Sequence, residues 1–229
     1  MTTDGRRIYA IGDIHGCLAE MQAMHARIAA DLAAAPHRAP LIVHVGDYVD
    51  RGPDSRGVIE ALLNPALPDI ETVSLLGNHD DLMLKFLDDP HGQWCRFHWL
   101  EDNLGGRATL ASYGVTGHDP VRMAEEARAA VPAAHLDFLR ARPRLHRVGS
   151  YVFVHAGIRP GVPLDEQDPE DLIWIRREFL DSRADHGAIV VHGHTPAREI
   201  ELRPNRIGID TGLVYGRHLT CLVLEDDRL

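Results

Sequence analysis

The sequence predicts an α/β fold that mixes parallel and antiparallel strands. Over the first half of the chain, short apolar runs alternate with helical patterns, which is typical of βαβ units. Toward the C-terminus the short apolar runs follow one another closely, as they do in hairpins. The 229 residues are 45% hydrophobic and 25% charged, which is ordinary for globular proteins. We therefore expect a single domain over residues 1–229.

In the first half, each predicted strand ends at a glycine, and each is followed by a helical pattern. The first helix is rich in alanine and stops near Pro36, and Asp54 has the side chain of a helix N-cap. The predicted strands are residues 8–11, 41–45 and 73–76, and the predicted helices are 18–32, 54–63 and 80–87.

The second half begins with an irregular stretch, residues 88–120, in which Gly105-Gly106-Arg107 is interpreted as a turn. A helical pattern follows and is broken at Pro132. The remaining predicted elements are this helix over 121–142, strands at 151–154 and 188–191, and three short strands within 200–224.

Composition excludes several classes of protein. The net charge is -10 and no basic stripe occurs, so no nucleic-acid partner is expected. No apolar run is long enough for a membrane-spanning helix, so no membrane partner is expected. The three cysteines are scattered and form no disulfide framework, which predicts a cytoplasmic protein. The sequence gives no prediction of oligomeric state.

Polar side chains recur directly after the apolar strands. The carboxyl ends of strands in open α/β sheets are where ligands bind, so we expect these clusters to converge on one cleft. Each cluster taken alone is most simply interpreted as an ordinary loop. Five clusters in order, each after a predicted strand, argue against a chance match. The clusters are GDIHG at 12–16, GDYVDRG at 46–52, GNHD at 77–80, HAG at 155–157 and HGHT at 192–195.

These clusters contain residue types that bind metal ions in proteins. Asp13 and His15 lie two apart, so an extended segment points both the same way. Asp47 adds a carboxylate that can bridge two cations. An amide and two imidazoles complete an oxygen and nitrogen set that suits manganese, iron or zinc better than copper(I) or an iron–sulfur cluster. These three further ligands are Asn78, His155 and His194.

These motifs, in this order, resemble the calcineurin-like metallophosphoesterases, and within them the phosphoprotein phosphatase branch with its bacterial and phage serine/threonine phosphatases. The resemblance implies a four-layer sandwich, with two central mixed β-sheets flanked by helices, and a centre of two divalent metal ions, manganese first and iron or zinc as alternatives. One metal is expected to bind Asp13, His15 and Asp47. The second is expected to share Asp47 and to bind Asn78, His155 and His194.

The resemblance also implies the catalytic residues. His79 is expected to protonate the leaving group while Asp50 orients the imidazole ring of His79. Arg51 is expected to bind phosphate oxygens through paired hydrogen bonds. The second arginine of the family follows a tryptophan in a Trp-x-Arg pattern, which selects Arg176, with the adjacent Arg177 as the alternative.

Two positions depart from the wider pattern. Asp80 stands where the family motif has glutamate. Pro196 replaces a further histidine ligand, as is typical of the phosphoprotein phosphatase branch.

The function expected from the resemblance is metal-dependent hydrolysis of phosphomonoesters, by direct attack of a metal-bridging hydroxide. The expected substrates are proteins or peptides carrying phosphoserine or phosphothreonine, with phosphotyrosine also open. The alternative is a symmetrical dinucleoside tetraphosphatase, which shares nearly all these motifs and acts on a phosphorylated small molecule. A weaker alternative is a non-catalytic module that binds a phosphorylated ligand. Specificity is assigned to loops 88–120 and 158–187.

Overall fold

The computed structural model describes residues 1–89 and 99–228, and within them two β-sheets lie face to face. The strands are β1 Arg7–Ile11, β2 Pro40–His44, β3 Glu71–Ser74, β4 Leu145–Val148, β5 Tyr151–Val154, β6 Ile189–His192, β7 Glu201–Leu202, β8 Arg206–Gly208 and β9 Cys221–Glu225. The helices are α1 Leu18–Ala34, α2 Ser55–Leu63, α3 Asn78–Asp88, α4 Gly106–Ser112, α5 Pro120–Ala130, α6 Ala133–Arg140, α7 Pro169–Trp174 and α8 Arg177–Leu180.

Both sheets mix strand directions. The first has the order β3-β2-β1-β9, in which β1, β2 and β3 are parallel and β9 runs antiparallel to β1. The second has the order β4-β5-β6-β8-β7, with β5, β6 and β8 parallel and an antiparallel strand at each edge. The parallel strands of each sheet bring their carboxyl ends to one edge, and the polar clusters follow these ends.

The alternation of side chains along β1 produces the layers. Ile8 and Ala10 are buried in the core between the two sheets. Tyr9 and Ile11 point to the other face, where they pack with Met24 of α1. On the outer face of the second sheet, a separate core joins β5 and β6 to α7 and α8. The predicted fold, two mixed sheets flanked by helices, is confirmed.

Most predicted elements are present, with shifted ends. The third strand starts and ends two residues earlier than expected, and Pro132 separates α5 from α6 as expected. Four of these helices and strands were not predicted from the sequence. They are β4, α7, α8 and α4, the last beginning at Gly106, where a turn was expected.

The Gly105-Gly106 pair has a packing reason. Gly105 has a φ of 84°, which favours glycine, and a Cβ on Gly106 would lie 2.5 Å from the indole of Trp99. The pair therefore lets α4 begin directly against the Trp99 ring. No helix among the described residues is long and apolar enough to cross a membrane.

Replacing Asp54 with alanine is expected to lower the free energy of unfolding by about 1 kcal/mol. Asp54 Oδ1 accepts a hydrogen bond from the amide of Gly57 at 2.7 Å, so it caps α2 as predicted. Asp54→Ser retains a side-chain oxygen and should recover most of the loss. Urea unfolding of the three proteins measures both effects, and equal midpoints for the alanine variant and the wild type contradict the capping role.

Candidate metal centre

The site forms where the loops after β1, β2, β3, β5 and β6 meet. Its backbone is unusual, because several non-glycine residues have a positive φ, a conformation that is rare and costs free energy. Such residues concentrate at functional sites, where the surrounding structure holds them in place. In this site they are His15 (45°), Asp47 (55°), Asp50 (76°), Arg51 (67°) and His194 (66°).

Asp80 holds the loop after β2 in this conformation. Its carboxylate accepts hydrogen bonds at 2.9 Å from the backbone amides of Asp47, Tyr48 and Gly77. Burial, reinforced by the charge of Asp47, raises the pKa of Asp80 to about 7. Asp80 stands where the family motif has glutamate, yet its carboxylate still connects the loop after β2 to the loop after β3 through these hydrogen bonds.

A first triad is formed by His15, Asp47 and His79, which place one candidate ligand atom each within 4.8 Å of one another. His15 Nδ1 donates to the carbonyl oxygen of Val49 at 2.9 Å. This bond fixes the tautomer, so the lone pair of Nε2 faces the site, 3.5 Å from Asp47 Oδ2. All three residues are buried.

A second triad, within the same distance, is formed by Asp47, His155 and His194. His155 Nδ1 donates to the carbonyl oxygen of Val45 at 2.9 Å, which turns Nε2 toward Asp47 Oδ1 at 3.4 Å. Asn78 Oδ1 lies 2.9 Å from His155 Nε2 and 2.8 Å from His194 Nδ1. The two triads share Asp47, and each of its oxygens faces a different one.

Asp13 lies at the edge of this arrangement and belongs to neither triad. Its Oδ2 accepts from the amide of His194 at 3.0 Å, while its buried Oδ1 has no hydrogen-bond partner. Burial and the charge of Asp210 raise the pKa of Asp13 well above its usual range. A buried carboxylate oxygen without a partner is costly, and a bound cation removes that cost.

The donor set fits divalent metal ions, which the motifs imply. Carboxylate, amide and imidazole atoms converge, and two imidazoles have their ring tautomers fixed by backbone carbonyls. Burial lowers the pKa of His15 to about 3, which keeps this imidazole neutral, as a metal ligand must be. Burial acts in the same direction on His155, but Asp47, Asp13 and the carbonyl of Val45 together raise its pKa to about 9.

His79 of the first triad forms a buried pair with Asp50. His79 Nδ1 lies 2.7 Å from Asp50 Oδ2. Asp50 is held in turn by Trp99, whose Nε1 donates at 2.7 Å, and by Thr109, whose hydroxyl donates at 2.6 Å. This role of Trp99 and Thr109 was not predicted from the sequence, because no local pattern connects Asp50 to residues 49 and 59 positions away.

The two predicted arginines lie against different triads. Arg51 Nη1 is 2.6 Å from His15 Nε2, and Arg176 Nε donates to His194 Nε2 at 3.1 Å. Arg177 begins α8 and makes no polar contact with these site residues in the described structure. The geometry brings together every site residue predicted from the sequence and favours Arg176 over Arg177.

The family model for calcineurin-like phosphoesterases matches residues 6–216. The chain belongs to this family. The family implies divalent metals, and the two triads are candidate positions for them. The metallophosphoesterase part of the predicted resemblance is therefore confirmed.

Curated relatives extend over almost the whole chain. A protein of Anoxybacillus flavithermus named bis(5'-nucleosyl)-tetraphosphatase PrpE (asymmetrical) is 29% identical over 236 aligned positions, covering 93% of this chain and 88% of that protein. A protein of Aromatoleum aromaticum named bis(5'-nucleosyl)-tetraphosphatase, symmetrical, is 24% identical over 293 positions, covering 97% and 95%.

Solved structures share the fold. A crystal structure provisionally named a diadenosine tetraphosphatase superposes with a TM-score of 0.67 at 23% identity, covering 98% of this chain and 91% of that one. A cold-active protein-tyrosine phosphatase of a Shewanella species has a TM-score of 0.61 at 14% identity, covering 97% and 76%. At these identities the likeness shows the fold alone.

The prediction of a protein phosphatase is wrong. Curated relatives that match over almost the whole chain are named bis(5'-nucleosyl)-tetraphosphatases, some of them symmetrical, the alternative that the sequence left open, and some asymmetrical. The physical reason is that the five motifs place the residues of the candidate metal centre, and one such centre can serve enzymes that act on different phosphate compounds. Specificity was assigned to other loops, and residues 90–98 of the first of these lie outside the described residues.

Proposed function

We propose that this chain hydrolyses dinucleoside tetraphosphates, two nucleosides joined through a chain of four phosphates. The observation that carries the proposal is the match of bis(5'-nucleosyl)-tetraphosphatases over more than nine-tenths of the chain. The geometry supports it, because two triads sharing Asp47 are flanked by two arginines, an arrangement suited to a polyanion.

The proposed ligands follow the motifs. Asp13, His15 and Asp47 would hold one divalent cation. Asp47, with the three residues of the later motifs, would hold the other. Cations held by these residues would supply Lewis acidity at phosphorus and would lower the pKa of a bound water. Manganese, with iron or zinc as alternatives, and a cytoplasmic location stay predictions. The three later ligands are Asn78, His155 and His194.

The arginines are proposed to bind the phosphate chain. Arg51 lies on the His15 side of the centre and Arg176 on the His194 side. Guanidinium groups bind phosphate oxygens through paired hydrogen bonds, and they offset the charge that builds up on the equatorial oxygens. The two side chains can therefore bind a phosphate chain at two different points of the centre.

His79 is proposed as the general acid. Asp50 accepts from Nδ1, so the other ring nitrogen, Nε2, is the one that can give a proton to the leaving oxygen. His79 lies within the first triad, but the bond to Asp50 and its motif position favour the role of acid.

Replacing Thr109 with valine is expected to lower kcat about tenfold. Its hydroxyl donates to Asp50 Oδ1 at 2.6 Å and accepts from the Asp50 amide at 2.8 Å, so valine frees the carboxylate that orients His79. Thr109→Ser keeps the hydroxyl and should keep most of the activity. Steady-state kinetics on diadenosine tetraphosphate measures both variants, and equal losses in the two would contradict the role of the hydroxyl.

Chromatography of the products from diadenosine tetraphosphate tests the proposed function. Symmetrical cleavage yields ADP alone, whereas asymmetrical cleavage yields ATP and AMP. Phosphopeptides run in parallel report protein phosphatase activity, and a chelator should abolish turnover. An enzyme that hydrolyses p-nitrophenyl phosphate but leaves diadenosine tetraphosphate intact refutes the proposal. Absence of all turnover from the metal-loaded chain supports the binding module instead.

A further inference from the structure

Two cavities open beside the candidate centre, and each contains one of its arginines. The larger, about 880 Å³, is lined by Arg176 together with Trp174. The smaller, about 520 Å³, is lined by Arg51 together with Tyr215. Both volumes fall within the range of small-molecule sites. Since Arg51 contacts His15 and Arg176 contacts His194, the cavities adjoin different triads.

Tyr215 presents an aromatic ring in the smaller cavity. It is 56% exposed, which is unusual for a large aromatic side chain, and the guanidinium carbon of Arg51 lies 5.6 Å from its ring centre. A short 3₁₀ turn, Leu213–Tyr215, carries the ring between two glycines in the left-handed region, Gly212 and Gly216. The turn is closed by a hydrogen bond from the Tyr215 amide to the Gly212 carbonyl at 3.0 Å.

Trp174 has the corresponding place in the larger cavity. Its ring is half-buried and stands edge-on to that of His194, with 6.1 Å between ring centres. It sits at the end of α7, two residues before Arg176. Each cavity thus pairs an aromatic ring with an arginine adjoining the metal site. Aromatic side chains are surfaces on which nucleobases stack, and arginine binds the adjoining phosphate.

We infer that the two cavities are the two nucleoside subsites of one dinucleoside polyphosphate, with Tyr215 stacking on one base and Trp174 on the other. The inference rests on the proposed function and adds to it the residues that recognise the nucleosides. A phosphate chain crossing the shared Asp47 from one triad to the other leaves a nucleoside at each end. Arg51 and Tyr215 then bind one end, and Arg176 and Trp174 bind the other.

The test is calorimetric titration of the metal-loaded chain with a methylene-bridged diadenosine tetraphosphate, an analogue that resists cleavage at the bridged positions. Methylenediphosphonate, titrated in parallel, carries the bridged anion without the bases. The ratio of the dissociation constant of methylenediphosphonate to that of the analogue measures what the nucleosides and the two outer phosphates add to binding, and the change of this ratio in a variant reports the part that depends on the replaced ring. Tyr215→Ala and Trp174→Leu should each reduce this ratio about tenfold, and together about a hundredfold, because the two rings line different cavities.

Ring-retaining variants separate stacking from structure. Tyr215→Phe and Trp174→Phe should keep the ratio within about threefold of the wild type. Leu202→Ala, another exposed apolar side chain but one that lines neither cavity, is the matched surface control. If Tyr215→Ala weakens the analogue and methylenediphosphonate equally, the ring acts only through Arg51 and the inference fails.

The inference and the proposed function fail in different ways. If the ratio depends on both rings but diadenosine tetraphosphate is not cleaved, the nucleoside subsites are supported and the proposed hydrolysis is contradicted. If diadenosine tetraphosphate is cleaved but the ratio is the same in the double variant as in the wild type, the subsites are contradicted and the proposed hydrolysis is supported. A wild-type chain that binds the analogue no more tightly than methylenediphosphonate also overturns the subsites.

Discussion

Replacing Asp47 with asparagine is expected to reduce turnover of diadenosine tetraphosphate by at least about 10³-fold. Asp47 belongs to both triads, and each of its oxygens faces one of them. Removing its charge therefore weakens the binding of both proposed cations. Metal ions contribute several kcal/mol of transition-state stabilisation, and each 1.36 kcal/mol changes the rate about tenfold.

Asparagine is the right replacement because it leaves the fold in place. It tolerates the left-handed φ of 55° at this position, and its amide oxygen can still accept the hydrogen bond from the His79 amide that Asp47 Oδ1 accepts at 3.0 Å. Elemental analysis of the purified variant should show less than the wild-type content of metal, and kinetics should show the loss of turnover.

Asp165→Asn is the matched control for this variant. Asp165 is exposed and lines none of the described cavities, so the same chemical change should leave metal content and kinetics unaltered. An Asp47→Asn protein with full metal content and turnover within tenfold of the wild type contradicts the bridging position. Thermal unfolding of both variants establishes that each is folded.

The site could be predicted from the sequence because its residues are placed by local rules. A glycine after an apolar strand, followed by a polar side chain, marks the carboxyl end of a parallel strand. This rule located Asp13, Asp47 and Asn78 by their distance from the strand ends alone. The structure then brings them together with the histidines of the second sheet, because the two sheets pack face to face.

Residues that support the site were missed because their signal is not local. Trp99 and Thr109 contact Asp50 across 49 and 59 positions of sequence. α4, which carries Thr109, begins at a glycine pair that reads as a turn. The two glycines are required because the backbone packs closely against Trp99, and the sequence pattern does not reveal this tertiary contact.

The substrate could not be predicted for a different reason. The motifs describe what holds the reacting phosphate, which is common to phosphoproteins and dinucleotides. What differs is the group beyond the phosphate, and the candidates for recognising it, Trp174 and Tyr215, lie outside the five motifs. Tyr215 has no sequence pattern of its own, and Trp174 belongs to a Trp-x-Arg pattern that points only to the arginine after it. An aromatic side chain near an arginine becomes informative about the substrate only when both line a cavity.

Replacing His79 with asparagine is expected to lower turnover by an amount that depends on the leaving group. General acid catalysis contributes about 10²- to 10⁴-fold. A phenolate, whose conjugate acid has a pKa of about 10, needs a proton far more than a phosphate oxygen with a pKa of about 6. The loss on phenyl phosphate should therefore approach the upper end, and the loss on diadenosine tetraphosphate should lie near the lower end.

The same variant decides between the two roles that the geometry allows His79. As an acid paired with Asp50 at 2.7 Å, it can be replaced without loss of metal. As a third ligand in the triad with His15 and Asp47, it cannot, and all substrates should then suffer alike. Metal analysis together with rates on phenyl phosphate, p-nitrophenyl phosphate and diadenosine tetraphosphate separates these outcomes, with the exposed His118→Asn as control. If turnover falls equally on all three substrates and metal is lost, His79 is a metal ligand and not the general acid. The leaving phosphate, which is a weak base, would then depart without a proton from this residue.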